Sequence, residues 1–127
     1  MSVGEESVRV ATLFAVSLGL PQPAAVGLER AAEPGLDPIT VAAELNIWRN
    51  VCGKPKAVLA GPHNDWTMFI GPMARTVLEA AVGAISRSES AGLRRELARL
   101  DADFEAKTLH NPKSDPTLPW WARRSYY

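Results

Sequence analysis

The stretch LDPITVAAELNIWRNVCGK, residues 36–54, contains one helix together with its start and stop signals. Asp37 is a favoured N-cap residue, Pro38 suits the first helical position, and Gly53 is typical of a helix end. Apolar side chains recur inside it at spacings of four, three and four, which places them on one helical face. They are Val41, Leu45, Trp48 and Cys52. This pattern predicts an amphipathic helix at the centre of a mainly helical fold.

Two further apolar stripes follow toward the C-terminus. The first contains Leu78, Val82 and Ile85. The second contains Leu93, Leu97, Leu100 and Phe104. The stripes do not share a register, because continuing the first would place Glu89 and Glu96 on the apolar side. The sequence therefore predicts a break within SRSESAG, residues 86–92, and an antiparallel helical hairpin.

A different pattern separates the central helix from this hairpin. The runs KAVLA (56–60) and WTMFI (66–70) are short, apolar and rich in β-branched or aromatic residues. They flank GPHND, a five-residue stretch with Gly and Pro. Short apolar runs around such a turn are typical of a β-hairpin, which we predict over residues 56–70.

The N-terminal stretch EESVRVATLFAVSLG, residues 5–19, predicts a helix that is apolar on nearly all sides. Such a helix is either deeply buried or packed against another subunit. A shorter helix is predicted over residues 24–32. The residues expected in the core are Leu13, Phe14, Val41, Leu45, Trp48, Leu78, Val82, Ile85, Leu97, Leu100 and Phe104.

Composition narrows the function classes. The chain has 127 residues, and its 14 basic and 14 acidic side chains cancel, so it lacks the bulk attraction that non-specific nucleic-acid and anionic-membrane binders use. The longest apolar stretch, residues 10–20, is shorter than the roughly 20 residues that cross a bilayer. A single cysteine and the acidic start MSVGEES favour the cytoplasm. An excess of arginine over lysine is typical of GC-rich bacterial genomes. We expect no cofactor and no metal.

The C-terminal stretch carries the predicted site. Three prolines in HNPKSDPTLP, residues 110–119, predict a stiff, extended arm. The chain then divides into a globular helical domain, residues 1–110, and a proline-rich arm, residues 111–127. The arm ends in LPWWARRSYY, and Trp, Tyr and Arg are the residues most enriched in interface hot spots. The predicted partner-binding residues of the arm are Trp120, Trp121, Arg123, Arg124, Tyr126 and Tyr127.

Where the arm docks is open from sequence. It can fold onto the protein's own body as a clasp, or reach another chain. A third possibility is a stacking platform for single-stranded nucleic acid, which the zero net charge argues against. On the last helix, Arg94 and Arg95 lie near the start, where the helix dipole disfavours cations. Either local pairs such as Arg99 with Asp103 form a solvated face, or Arg94 and Arg95 contact an acidic partner, as weaker members of the site.

Two alternative site readings have weaker support. His63, Asp65 and His110 could supply a metal site or a general base, but no ligand spacing supports this, and GPHND is also what a polar turn contains. Cys52 lies near the C-terminal end of its helix, where the dipole raises a thiol pKa, so we predict a packing role.

A helix-turn-helix is the third alternative. ITVAAELNIWRNV, residues 39–51, resembles this DNA-binding motif, with Ala42 in mid-helix and Leu45 before the turn. Asn46 stands where the turn usually has glycine, and Gly53 and Pro55 soon interrupt the second helix. We therefore predict a cytoplasmic protein-binding or assembly module that self-associates, with a DNA-binding regulator and a small enzyme as alternatives.

Overall fold

Helices dominate the fold, as the sequence predicts. The computed structural model describes residues 3–61 and 65–126, with side chains from residues 10–61 and 70–126. The helices of this part are α1 (Val3–Ser17), α2 (Gln22–Ala31), α3 (Pro38–Gly53), α4 (Lys56–Leu59), α5 (Asp65–Ala84) and α6 (Arg87–Lys107). Two short strands, β1 (Leu109–His110) and β2 (Arg124–Ser125), flank a 3₁₀ turn, Trp120–Ala122.

The central helix α3 forms as predicted. The Asp37 carboxylate accepts hydrogen bonds from the Thr40 backbone N–H at 3.0 Å and from the Thr40 hydroxyl at 2.7 Å, so the N-cap is occupied. Its predicted face is fully buried, and α3 packs against α1, α2, α5 and α6. This helix is therefore the centre of the core.

The two helices predicted in this part of the chain form as α5 and α6. A capping box starts α6, because the Ser86 hydroxyl accepts from the Glu89 N–H and the Glu89 carboxylate accepts from the Ser86 N–H. The break falls at residues 85–86, at the very start of the predicted region. The stripe of α6 is buried throughout, and on α5 Leu78 is buried while Val82 and Ile85 are half-buried against the core.

The β-hairpin predicted at residues 56–70 is wrong. Residues 56–59 form α4 directly after Pro55, and residues 65–70 already belong to α5, which continues through Pro72. Periodicity cannot separate a short buried strand from a short helical segment, and here the helical conformation is the one that packs. At Gly71, α5 comes so close to α3 that a Cβ atom would lie 3.1 Å from the Val51 methyl groups. Residues 62–64 lie outside the described part.

The antiparallel sheet lies instead at the C-terminus, where Leu109 pairs with Ser125 and His110 with Arg124. The extended arm expected over residues 111–119 is therefore also wrong, because the chain must reverse between the strands. Asn111 accepts from the Lys113 N–H with its side chain, and Asp115 does the same for Thr117. Asn-Pro and Asp-Pro sequences favour such turns, and this signal outweighs the stiffness of the prolines.

On helix α1, two residues predicted for the core are exposed. Leu13 and Phe14 were expected in the core, but their exposed fractions are 67% and 52%. Among the α1 side chains that the structure describes, Ala15 is the one that is fully buried, and its small size lets the helix approach its neighbours α2 and α3. Gly19 lies in the turn after α1 with a φ of +103°, and its carbonyl accepts a hydrogen bond from the Arg49 guanidinium at 3.0 Å. A side chain at Gly19 would collide with that guanidinium.

Candidate functional site

The aromatic side chains of the C-terminal segment pack on the chain's own core. Trp121 and Tyr126 are buried members of the core cluster, and Trp120 is half-buried against it. Phe104 connects them, with ring centroids 4.8 Å from Trp48, 5.6 Å from Tyr126 and 6.3 Å from Trp120. These distances are within the range in which aromatic rings attract each other. The segment therefore packs over Phe104 of α6 and covers this side of the core.

The two arginines of the segment bind backbone oxygens of the same chain. Arg124 donates to the carbonyls of Thr108 at 2.7 Å and Glu105 at 3.1 Å, and to the Thr108 hydroxyl at 2.9 Å. These carbonyls lie at the C-terminal end of α6, where a cation complements the helix dipole and caps free acceptors. Arg123 donates to the Pro116 carbonyl at 3.2 Å. Arg124 thus fastens the segment to the end of α6, whereas Arg123 bonds within the segment itself.

The clasp is accordingly the arrangement that the described residues adopt. Tyr127 lies outside the described part. The partner-binding role of the segment stays a prediction, and binding a partner through Trp121 or Tyr126 would require this packing to open.

A buried ion pair that the sequence analysis missed supports the clasp. The Arg75 side chain donates to both Asp101 oxygens, at 3.0 and 2.9 Å, and to Glu79 at 2.8 Å. The ring of Trp121 lies 4.4 Å from the Arg75 guanidinium carbon, which is a cation–π contact. Burial opposes the charge on Arg75, but the hydrogen bonds to Asp101 and Glu79 outweigh it and raise the pKa of Arg75. The one available signal was a lone arginine in the apolar run of α5.

Both tryptophans beside this ion pair also use their indole N–H groups. Trp48 donates to Asp101 at 3.1 Å, and Trp121 donates to the Thr76 hydroxyl at 3.0 Å. A buried charge pair is destabilising unless its remaining hydrogen-bonding capacity is used. Here the carboxylate receives three bonds, so the network joins α3, α5, α6 and the C-terminal segment.

Arg94 and Arg95 do not form one patch. Arg94 lines a groove between α5 and α6. Arg95 points elsewhere, since its guanidinium lies near Gly92, whose neighbour across the interface is Pro21. The pair suggested for Arg99 and Asp103 is also different, because Arg99 bonds Glu96 at 3.0 Å. Glu96 in turn accepts from Arg49 at 2.8 Å and so joins α6 to α3.

Most of the side chains that the metal or general-base hypothesis needs lie outside the described part. His63 lies outside the described residues, and Asp65 begins α5 with a side chain that is likewise not described. His110 is exposed on β1. Among the side chains that the structure describes, no three His, Cys, Asp or Glu residues are grouped to hold a metal ion. Cys52 is buried as predicted, and this burial, with the nearby Asp101 charge, raises the pKa of its thiol.

The helix-turn-helix motif does not form. α3 runs without a break from Pro38 to Gly53, through the position of the expected turn. Asn46 donates to the Ala42 carbonyl and to the Leu18 carbonyl, both at 2.9 Å, so it links α3 to the end of α1. The resemblance is therefore a property of one capped helix.

Among the described residues, an apolar stripe along α1 and the turn after it is exposed. We define the α1 stripe as Val10, Leu13, Phe14 and Leu18. Spacings of three, one and four residues place them on one side of a helix. Their exposed fractions are 65%, 67%, 52% and 36%. Contiguous exposed apolar patches of this kind commonly mark binding surfaces.

Comparison of the chain with protein-family models, with curated proteins and with solved structures finds no match. Within the described residues, no helix has the length and hydropathy that a membrane-spanning segment needs.

Proposed function

We propose that the protein is a cytoplasmic protein-binding module that self-associates through the α1 stripe. The observation that carries the proposal is the orientation of α1, which buries Ala15 and exposes Leu13 and Phe14. Leaving several large apolar side chains in water forgoes the free energy that their burial would give. A partner surface that covers them recovers it.

A second copy of this chain is the partner that the composition favours. No charged residue occurs between Val10 and Leu28, so the α1 stripe and the start of α2 carry no fixed charge. In a two-fold dimer the same patch meets itself, and any charged side chain near the axis would face its own copy. An uncharged apolar patch avoids this repulsion. A charged partner surface would find no complementary group along it.

The expected dimer is weak. Two α1 stripes packed against each other bury less surface than the standard interface of about 1,600 Å² in total. Interfaces at the small end of the range belong to transient complexes. We therefore expect a dissociation constant in the micromolar range rather than an obligate dimer. The C-terminal clasp contributes to dimerisation only indirectly, because it completes the core on which α1 packs.

Sedimentation velocity over a wide range of protein concentrations tests the proposal. We expect the weight-average sedimentation coefficient to rise with concentration, and Leu13→Ser to shift this rise to higher concentration by at least about tenfold. Met73→Ser is the matched control, since Met73 on α5 is 64% exposed but lies outside the α1 stripe. Its dimerisation should equal that of the wild type.

Two results would contradict the proposal. One is a monomer at every concentration. The other is an association that Leu13→Ser and Met73→Ser weaken equally. Because Leu13→Ser leaves the C-terminal segment unchanged, an association that it does not affect would direct attention back to the partner-binding residues predicted there.

A further inference from the structure

The C-terminal segment docks on the rest of the chain as a separable unit. Trp121 contacts Arg75 and Thr76 on α5, and Arg124 and Tyr126 contact α6. Each of these contacts joins one residue after the loop that follows β1 to one residue before that loop. The segment of a second copy would therefore form the same contacts, because this surface of α5 and α6 is complementary to the segment.

The connecting loop, residues 111–119, distinguishes docking on the same copy from docking on a second copy. In the closed form, where the segment docks on its own chain, the loop reverses through turns at Asn111 and Asp115. Fully extended, its nine residues span about 30 Å, the diameter of a small domain. Its three prolines bias the residues before them toward extended backbone. The loop therefore combines a signal that closes it with one that opens it.

The closed form leaves two polar atoms of the segment without partners. Within the described residues, the Tyr126 hydroxyl and the Arg123 Nε atom are buried and have no hydrogen-bond partner. A buried polar group without a partner opposes the packing that buries it. Release of the segment returns both atoms to water, so opening costs less free energy than the aromatic contacts alone would require.

We propose that two copies of the chain exchange their C-terminal segments, so that each segment docks on α5 and α6 of the other copy. The reciprocal exchange restores the docking contacts of both segments and changes the conformation of the loop. The strand pair then also forms between copies, with Leu109 of one copy opposite Ser125 of the other. This exchange goes beyond the proposed association through the α1 stripe, because none of the contacts named above involves α1.

Protein concentration decides which form predominates. A short linker gives a chain's own segment an effective concentration in the millimolar range. The closed monomer therefore predominates at micromolar concentration, and the exchanged dimer appears as the concentration approaches about 1 mM. Exchange passes through an opened state, so incubation just below the unfolding transition accelerates it.

A disulfide between the paired strands reports which copy supplies the segment. Leu109→Cys and Ser125→Cys are combined in the full chain, since opposite residues of an antiparallel pair have Cα atoms about 4.5–5.5 Å apart, which a disulfide spans. Oxidation of the closed form gives an intrachain disulfide, whereas oxidation of the exchanged dimer gives two interchain disulfides. Non-reducing electrophoresis separates the products. Each single-cysteine variant measures collisional cross-linking, and Cys52 is buried.

The covalent dimer should depend on concentration and on the loop. After incubation, its fraction is expected to be at least about tenfold larger at about 1 mM protein than at about 20 µM. Asn111→Ala with Asp115→Ala, introduced into the double-cysteine chain, removes side chains that hold the closed turns and should raise this fraction at about 20 µM at least about fivefold. Lys113→Ala, an exposed side chain in the same loop, is the matched control and should leave it unchanged.

Three results would overturn the proposal. They are an intrachain disulfide alone at every concentration, no disulfide of either kind, and equal effects of the turn variant and Lys113→Ala. A dimer of closed copies through the α1 stripe gives the intrachain product, and Leu13→Ser leaves the exchange unchanged. Failure of this proposal is therefore distinguishable from failure of the proposed function.

Discussion

The C-terminal segment and helix α1 are both rich in large apolar side chains, but the segment is packed on the core whereas α1 leaves Leu13 and Phe14 exposed. The sequence of the segment, rich in Trp, Arg and Tyr and punctuated by proline, allows docking on the chain's own body or on another chain, and the segment packs against Phe104 of its own core. The sequence of α1, almost without polar residues after Arg9, predicts either deep burial or packing against another subunit, and the structure leaves Leu13 and Phe14 exposed. Composition shows that a segment gains from leaving water. Which segment is covered depends on the shape of the space that the other helices leave.

The largest expected effect concerns the covered region. Trp121→Ala removes a buried ring from the core and from the face of Arg75, and we expect the free energy of unfolding to fall by about 3–5 kcal/mol. Urea denaturation followed by circular dichroism measures it. Leu118→Ala, three residues earlier and partly exposed, should change it by less than about 0.5 kcal/mol. Similar values for the two variants would mean that the clasp does not contribute to stability.

The exposed region should respond in the opposite way to side-chain size. Ala15→Leu overpacks the contact of α1 with α2 and α3 and should lower the free energy of unfolding by about 1–3 kcal/mol. Leu13→Ala removes a larger side chain, yet should cost less than about 0.5 kcal/mol when measured below the dimerisation range. Thermal denaturation of both variants measures the difference. If Leu13→Ala proved the more damaging change, the orientation of α1 described here would be incorrect.

A smaller effect concerns one atom inside the clasp. The Tyr126 hydroxyl is buried, and no residue of the described part accepts from it or donates to it. Burial, with a smaller contribution from Cys52, raises the pKa of this phenol. Because an unpaired buried hydroxyl is destabilising, Tyr126→Phe should raise the free energy of unfolding by about 1 kcal/mol. Tyr126→Leu, which also loses the ring contact with Phe104, is the control and should lower it.

The smallest effect depends on pH and concerns the support of the turn after α1. Glu96 holds Arg49, and Arg49 donates to the Gly19 carbonyl. Burial alone would raise the pKa of Glu96, but hydrogen bonds from Arg49 and Arg99 outweigh it and lower this pKa from its ordinary value of 4.5. The stabilisation is therefore complete above that value and is lost as the pH falls through the folded-state pKa.

We expect Glu96→Gln to be less stable than the wild type by about 0.5–1 kcal/mol at pH 7. The difference should shrink as the pH falls below 4.5. Denaturation at a series of pH values measures it, with Glu105→Gln on the exposed side of α6 as the control. A difference that is the same at all pH values would show that the ion pair is not its cause.

The elements that sequence predicts well are those with local signals. The caps and spacing of α3 and the stripe of α6 lie within about 20 residues, and both helices form as expected. The β-hairpin failed because short apolar runs fit either conformation. The extended arm is wrong because Asn111 and Asp115, each of which precedes a proline, form turns.

The site was harder to predict, because its contacts join distant residues. The bond from Arg75 to Asp101 spans 26 positions, and the bond from Trp48 to Asp101 spans 53. No local pattern contains either pair. Arg94 could be singled out from sequence as an unsupported charge, but its separation from Arg95 depends on how α6 packs. The orientation of α1 likewise depends on which of its faces fits α3 most closely.

The position of Cys52 makes its labelling rate a measure of how often this fold opens. It is the single thiol of the chain, it is fully buried in α3, and Lys107 donates to its carbonyl at 2.6 Å. A thiol reagent can react only after the structure opens, so the rate of labelling reports how often opening occurs. If detachment of the clasp alone uncovers the thiol, labelling is faster than global unfolding. If α3 must also separate from α6, the two rates coincide.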